Sequence, residues 1–148
     1  MNKMIALCIF AIIISAVPVY ATDSNNATIV QQIQNTNPNA YSEIKNTASN
    51  IQNTNPNISK DMDSLKADFI QNNLQIGAIL QSKNVQNLIA DILKNKSVRT
   101  QIHNLIQNKD VQKEINSLMQ NKDIQKGSAA LMKNKQISNE INEIMKNK

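Results

Sequence analysis

The chain is poor in the residues on which most enzymatic chemistry depends. It contains one cysteine, one histidine, two glycines, three prolines and no tryptophan. Two separate glycines cannot form a glycine-rich phosphate loop, and a lone histidine is a poor metal site. No grouping of serine, histidine and acid can be argued either, so we expect no enzyme, no catalytic or metal-binding residue and no cofactor. His103 falls on the polar face of a repeat and is expected at the surface.

The N-terminal stretch predicts a secretory signal peptide over residues 1–21. It has a positive start, a largely apolar middle and a small-x-small ending at Val19-Tyr20-Ala21. We therefore expect cleavage between Ala21 and Thr22 and a periplasmic or secreted mature chain. The alternative is an uncleaved N-terminal anchor, although the apolar run is short for a membrane span. Cys8 would leave with the signal peptide, so the mature chain would contain no disulfide.

A 13-residue repeat fills the C-terminal half of the chain. Its units begin at residues 82, 95, 108, 121 and 134, and a weaker copy covers residues 69–81. Apolar residues recur at positions 4, 8, 11 and 12, a spacing typical of one face of an α-helix. Because a period of 13 sustains no continuous apolar stripe, each unit needs a break. The pattern predicts an all-α array of amphipathic helices of about nine or ten residues, joined by short turns.

The unit boundaries predict how these helices end and begin. An asparagine opens four of the units, and asparagine tolerates the left-handed conformation that closes a helix. The residue two places later, Ser97, Asp110 or Asp123, is a good N-cap. In the fourth unit, Gly127 and Ser128 replace a helix former and a core residue, so we expect a kink or a weak point there.

The part of the chain that precedes the repeats is different in composition. Residues 22–60 are rich in asparagine and contain the string IQNTNPN twice, at 33–39 and 51–57, which is a turn signal. We expect this segment to be partly disordered or to form short helices, and residues 61–148 to form the helical repeat domain. Few aromatic residues are present, so the core must be aliphatic.

Positive charge is concentrated in the repeats. Residues 82–148 hold 12 basic and 6 acidic residues, whereas residues 22–81 hold 3 basic and 5 acidic residues. This excess could attract an anionic membrane surface. Nucleic acid is not expected, since there is no aromatic stacking platform and no arginine-rich stripe. The candidate basic surface consists of the second residue of four units: Lys96, Lys109, Lys122 and Lys135.

The apolar helix faces carry the main functional hypothesis. Methionine occupies position 12 of three units, and methionine is frequent on surfaces that accept varied apolar partners, although it also fills cores. We predict that these faces bind a protein or peptide with an exposed apolar or amphipathic segment. The candidate binding residues are Val98, Ile102, Leu105, Ile106, Val111, Ile115, Leu118, Met119, Ile124, Leu131, Met132 and Met145.

The unit NKDVQKEINSLMQ (108–120) resembles the short-helix units of the DP modules in Hop-type co-chaperones and ubiquilins. The matching positions are Asn108, Val111, Ile115, Leu118 and Met119, while lysine stands where that family has proline. The resemblance implies a hand-like array of amphipathic helices that cradles an apolar client segment. Two alternatives stay open: a basic protein associated with the envelope or membrane surface, and a structural or host-facing repeat protein without a ligand.

Overall fold

A computed structural model describes residues 2–16, 25–71 and 76–146 of the chain. The described residues form α-helices joined by short turns and contain no strand, which confirms the predicted all-α array. The predicted cleavage site, Ala21 and Thr22, lies outside the described residues. The helices are α1 (Asn2–Ala16), α2 (Asn25–Thr36), α3 (Pro38–Gln52), α4 (Pro56–Gln71), α5 (Ile76–Gln81), α6 (Lys83–Leu93), α7 (Lys96–Ile106), α8 (Lys109–Leu118), α9 (Lys122–Lys133) and α10 (Lys135–Lys146).

Each repeat unit forms one helix, from α6 to α10, and each helix begins at the lysine in position 2 of its unit. These helices are 10 to 12 residues long. The residues at positions 4, 8 and 11 are buried in all five units. Isolated helices of this length are marginal in water, so their stability depends on packing of the buried face.

The asparagine that opens a unit caps the helix that follows it. Asn108 has φ −73° and ψ 125°, and its Oδ1 accepts a hydrogen bond from the N–H of Val111 at 3.1 Å. Equivalent bonds occur at the start of the next units in both directions. The predicted left-handed asparagine is therefore wrong, because no described residue has a positive φ. The extended conformation places the amide oxygen over the first free N–H groups of the helix.

The three predicted N-caps, Ser97, Asp110 and Asp123, are also wrong. Each is the second residue of its helix. Asp123 caps a different helix instead: its carboxylate accepts a hydrogen bond from the N–H of Gly77, in the first turn of α5, at 3.1 Å. A carboxylate at this end of a helix satisfies a free donor and interacts favourably with the helix dipole.

A second side-chain bond joins consecutive units. The residue at position 5 donates to the backbone carbonyl at position 12 of the preceding unit. Gln112 Nε2 donates to the Ile106 carbonyl at 2.7 Å, and Arg99 Nη1 donates to the Leu93 carbonyl at 3.0 Å. Gln86 and Gln125 make the same bond to their preceding units. Because the last carbonyls of a helix lack intrahelical partners, this bond satisfies one of them and ties the two helices together.

Helix α9 runs unbroken from Lys122 to Lys133, so Gly127 does not end the helix. Gly127 instead faces α5 at close range. A Cβ atom on Gly127 would lie 2.7 Å from Cδ1 of Leu80 and 3.4 Å from Cα of Gly77. The absence of a side chain therefore allows α5 and α9 to pack closely.

The two Asn-Pro sequences begin helices of the same kind as the repeats. Asn37 Oδ1 accepts from the N–H of Ala40 at 3.1 Å, and Asn55 Oδ1 accepts from the N–H of Ile58 at 2.9 Å. Proline is well suited to the first helical position because its missing N–H would have no partner there. Helices α3 and α4 start in this way and pack against the repeats: α3 contacts α7 and α8, and α4 contacts α6.

We predict that Asn108→Ala lowers the free energy of unfolding by about 1 kcal/mol, because the helix loses its N-cap. Asn116 is exposed within the same helix and provides the matched control. Asn116→Ala should leave stability unchanged or raise it slightly through better helix propensity. Urea unfolding followed by circular dichroism measures both. Equal effects of the two substitutions would contradict the capping role.

Candidate functional site

Residues 5–13 of helix α1 are apolar on every side and are enclosed by the rest of the chain. All nine residues from Ile5 to Ile13 are hydrophobic, and none is more than 4% exposed. A helix that is hydrophobic all round must be surrounded by protein or by lipid, whereas a surface helix has one polar face. Here the surrounding is protein, because α1 packs against α2, α3, α4, α7, α8, α9 and α10.

The space that α1 occupies is a channel between the helices of the array. The wall residues that meet α1 around Ile9, Ile12 and Ile13 carry only hydrocarbon or thioether side chains. The gap left there is about 20 Å³, which is room for one water molecule at most. Helix and channel therefore fit closely. The wall residues are Ile51, Met62, Ile89, Ile92, Leu93, Val98 and Ile102.

The structure gives the candidate binding residues different environments. Val98 and Ile102 belong to the channel wall. Met119 is half-buried and lies in a recess beside Leu7 of α1. Met132 is also half-buried, and Met145 is 38% exposed. The other candidates are buried in the core: Leu105, Ile106, Val111, Ile115, Leu118, Ile124 and Leu131.

Five wall residues were not among the candidates from sequence. Ile89, Ile92 and Leu93 occupy positions 8, 11 and 12 of the first unit, so the repeat pattern itself could have identified them. Ile51 and Met62 come from α3 and α4, outside the repeats. Only their place on an apolar helix face points to them, since nothing in the local sequence connects α3 and α4 to the repeat helices.

One recess beside α1 opens towards solvent and carries positive charge. It lies next to Leu7, at the junction of α8 and α9, and its lining includes Met119, Lys122 and Lys126. Lys122 is one of the four candidate basic residues, all of which are exposed at the first position of their helices. None of the four has an ion-pair partner within residues 2–16, 25–71 and 76–146.

Polar contacts connect α7 and α10. Arg99 and Glu140 form an ion pair with an N–O distance of 3.2 Å. His103 is half-buried, which corrects the expected surface position, and its Nδ1 lies 3.0 Å from the Ile144 carbonyl in the last turn of α10. A ring N–H would satisfy that carbonyl, so the histidine serves helix packing.

Two carboxyl groups have raised pKa values. Burial raises the pKa of Glu114, which is 6% exposed on α8. Burial, and then the nearby Asp91 carboxylate, raise the pKa of Asp61, although Lys60 opposes this. Such shifts disfavour the charged forms. In the described part of the chain, no group of three or more histidine, cysteine, aspartate or glutamate residues could hold a metal ion.

Comparisons with models of known protein families, with curated proteins and with solved structures found no match to this chain. The resemblance to DP modules therefore stays a prediction. Among the described helices, none is long and apolar enough to cross a membrane.

We predict that Cys8 resists alkylation in the folded, uncleaved chain. The thiol is fully buried in α1, and burial raises its pKa, so both access and thiolate formation are suppressed. Iodoacetamide should react at least about 100-fold more slowly than with the urea-unfolded chain, as measured by mass spectrometry. Ser49 is exposed on α3, and Ser49→Cys in a Cys8→Ser chain is the reactive control. Fast alkylation of Cys8 under native conditions would place α1 outside the channel.

We predict that Glu114→Gln stabilises the protein at neutral pH. The pKa of Glu114 is raised in the folded chain above its unfolded value. The stability that this carboxyl contributes is therefore fully present below its unfolded pKa. It is lost as the pH rises through the folded pKa. The variant should therefore unfold at a higher temperature than the parent at pH 7, with the difference vanishing in acid. Glu143→Gln, at an exposed ion pair with Lys146, is the control and should have little effect. Similar pH profiles for the two variants would contradict this assignment.

Proposed function

We propose that this chain is an exported, non-enzymatic binding protein whose helical array holds an apolar or amphipathic segment of a partner, in the manner of a chaperone. The observation that carries this proposal is the enclosure of α1. Nine consecutive apolar residues are surrounded by seven other helices, and each is at most 4% exposed. An array that encloses its own apolar helix in this way has the shape and the chemistry to enclose another.

The predicted signal peptide includes the whole of α1. If the chain is cleaved after Ala21, the helix leaves and the channel loses its occupant. The remaining helices still contact each other without α1, since α5 packs against α9, α4 against α6, and α10 against both α6 and α7. These contacts support an array that keeps its frame after export.

A vacated channel would be unstable unless something filled it. Each large apolar side chain returned to water costs about 1.5–3 kcal/mol. Seven wall residues meet α1 near its C-terminal half alone, so exposure of the whole channel would cost on the order of 10 kcal/mol. Either the walls close together or an apolar partner takes the place of α1. The resemblance to client-cradling DP modules supports the second outcome.

A second candidate function is association with an anionic envelope or membrane surface. It is favoured by the exposed lysine at the start of four repeat helices, without an ion-pair partner in the described residues. Basic residues near an anionic surface contribute attraction that salt weakens. Binding to vesicles that ignores both salt and lipid charge would exclude this candidate.

The first candidate predicts that the exported chain binds a fluorescent apolar peptide, after intact mass has established that its N-terminus is Thr22. Replacing the half-buried Met119 and Met132 together by glutamine should weaken binding about 10-fold or more, with helicity retained, because a polar group enters an apolar surface. Met145→Gln is the matched control at an exposed methionine and should bind normally.

Two outcomes would oppose this proposal. If the double variant loses its helical circular dichroism, the two methionines are core residues and do not form a binding surface. If the exported chain is folded but binds no apolar peptide at saturating concentration, the channel has closed and the binding function is wrong.

A further inference from the structure

The way in which α1 is buried indicates what kind of segment the channel accepts. An amphipathic helix has a polar stripe, and in this channel that stripe would face other helices. Residues 5–13 have no such stripe. Apart from one buried cysteine, all of their side chains are hydrocarbon, and none is charged. The channel therefore matches a helix that is apolar around its full circumference.

The wall chemistry also selects the conformation of the occupant. A helix satisfies its backbone N–H and C=O groups internally, whereas an extended segment leaves them free. The wall residues around Ile9, Ile12 and Ile13 offer side chains without a hydrogen-bonding nitrogen or oxygen. An extended segment would bury unpaired backbone groups against them, at a substantial cost per group. A helix carries no such penalty.

The buried part of α1 sets a minimum length for the occupant. Residues 5–13, whose burial the structure describes, span about 13 Å at 1.5 Å per residue. The occupant is thus a helix of at least about two and a half turns.

We infer that the ligand of the channel is an uncharged, continuously apolar α-helix of at least about two and a half turns, for which α1 is the intramolecular occupant before cleavage. This deepens the proposed function by naming the class of segment, and it rests on that function. The uncleaved chain is closed to such a segment because α1 fills its place. Departure of α1 opens the site.

The test uses the full chain with a protease recognition sequence inserted between Ala16 and Asn25. Cutting converts α1 from a covalent to a non-covalent occupant without removing it. A labelled synthetic peptide with the sequence of residues 1–16, carrying a lysine tag beyond its C-terminus, is then added. Fluorescence anisotropy follows its entry, and alkylation of Cys8 in the displaced α1, resolved by mass from Cys8 of the added peptide, reports the departure of α1.

Two peptides of the same scale serve as matched controls. The first is the 1–16 peptide with Ile9→Lys, which places a charge at a site that is 4% exposed in the chain. The second is the chain's own amphipathic unit, residues 108–120. The apolar peptide should enter saturably at one per chain, and both controls should bind at least about 100-fold more weakly, since each would bury charge.

The possible results separate this inference from the proposed function. Equal binding of the 108–120 peptide would overturn the apolar-helix ligand while leaving an amphipathic-segment binder in place. Displacement of α1 by oleate as readily as by the apolar peptide would assign the channel to hydrocarbon chains and overturn the inference. If the cut chain stays folded and exchanges nothing, even in urea just below its unfolding midpoint, α1 is a permanent core helix. Both proposals then fail.

Discussion

The burial of α1 is the interaction on which the remaining structure depends. Helices of 10 to 12 residues are too short to be stable alone, and each repeat presents a buried apolar face. A single layer of such helices covers those faces only in part. The apolar segment 5–13 of α1 covers the remaining parts of these faces, because α3, α4 and α7–α10 all contact α1. Removing α1 would expose apolar surface on all of these helices at once.

The junctions between units determine how the array can wrap. At each one, the asparagine side chain fixes the start of a helix, and in most units the residue at position 5 binds the last carbonyls of the helix before. The two bonds restrict the conformation of the turn. A period of 13 residues thus corresponds to one capped helix plus a short, bonded junction.

Sequence reasoning was sufficient for the helices and their buried faces, because a 3.6-residue period depends only on the local pattern. It was insufficient for the caps. Asparagine suits both ends of a helix, and only the extended conformation at Asn108 distinguishes the two. The packing role of Gly127 was out of reach for a related reason: it allows the close approach of α5, a contact between distant segments. The position of α1 was also out of reach, since a signal peptide and a buried core helix can have the same continuously apolar sequence.

The apolar character of α1 links the two parts of the proposed function, export and binding. A signal peptide needs a continuously apolar helical segment, and those are also the properties that the channel requires of its occupant. In the uncleaved chain, the array covers a segment that would otherwise aggregate. If α1 leaves on export, as we propose, the same complementarity would leave an apolar surface without its partner, and the chemistry of α1 would define which other segments fill its place.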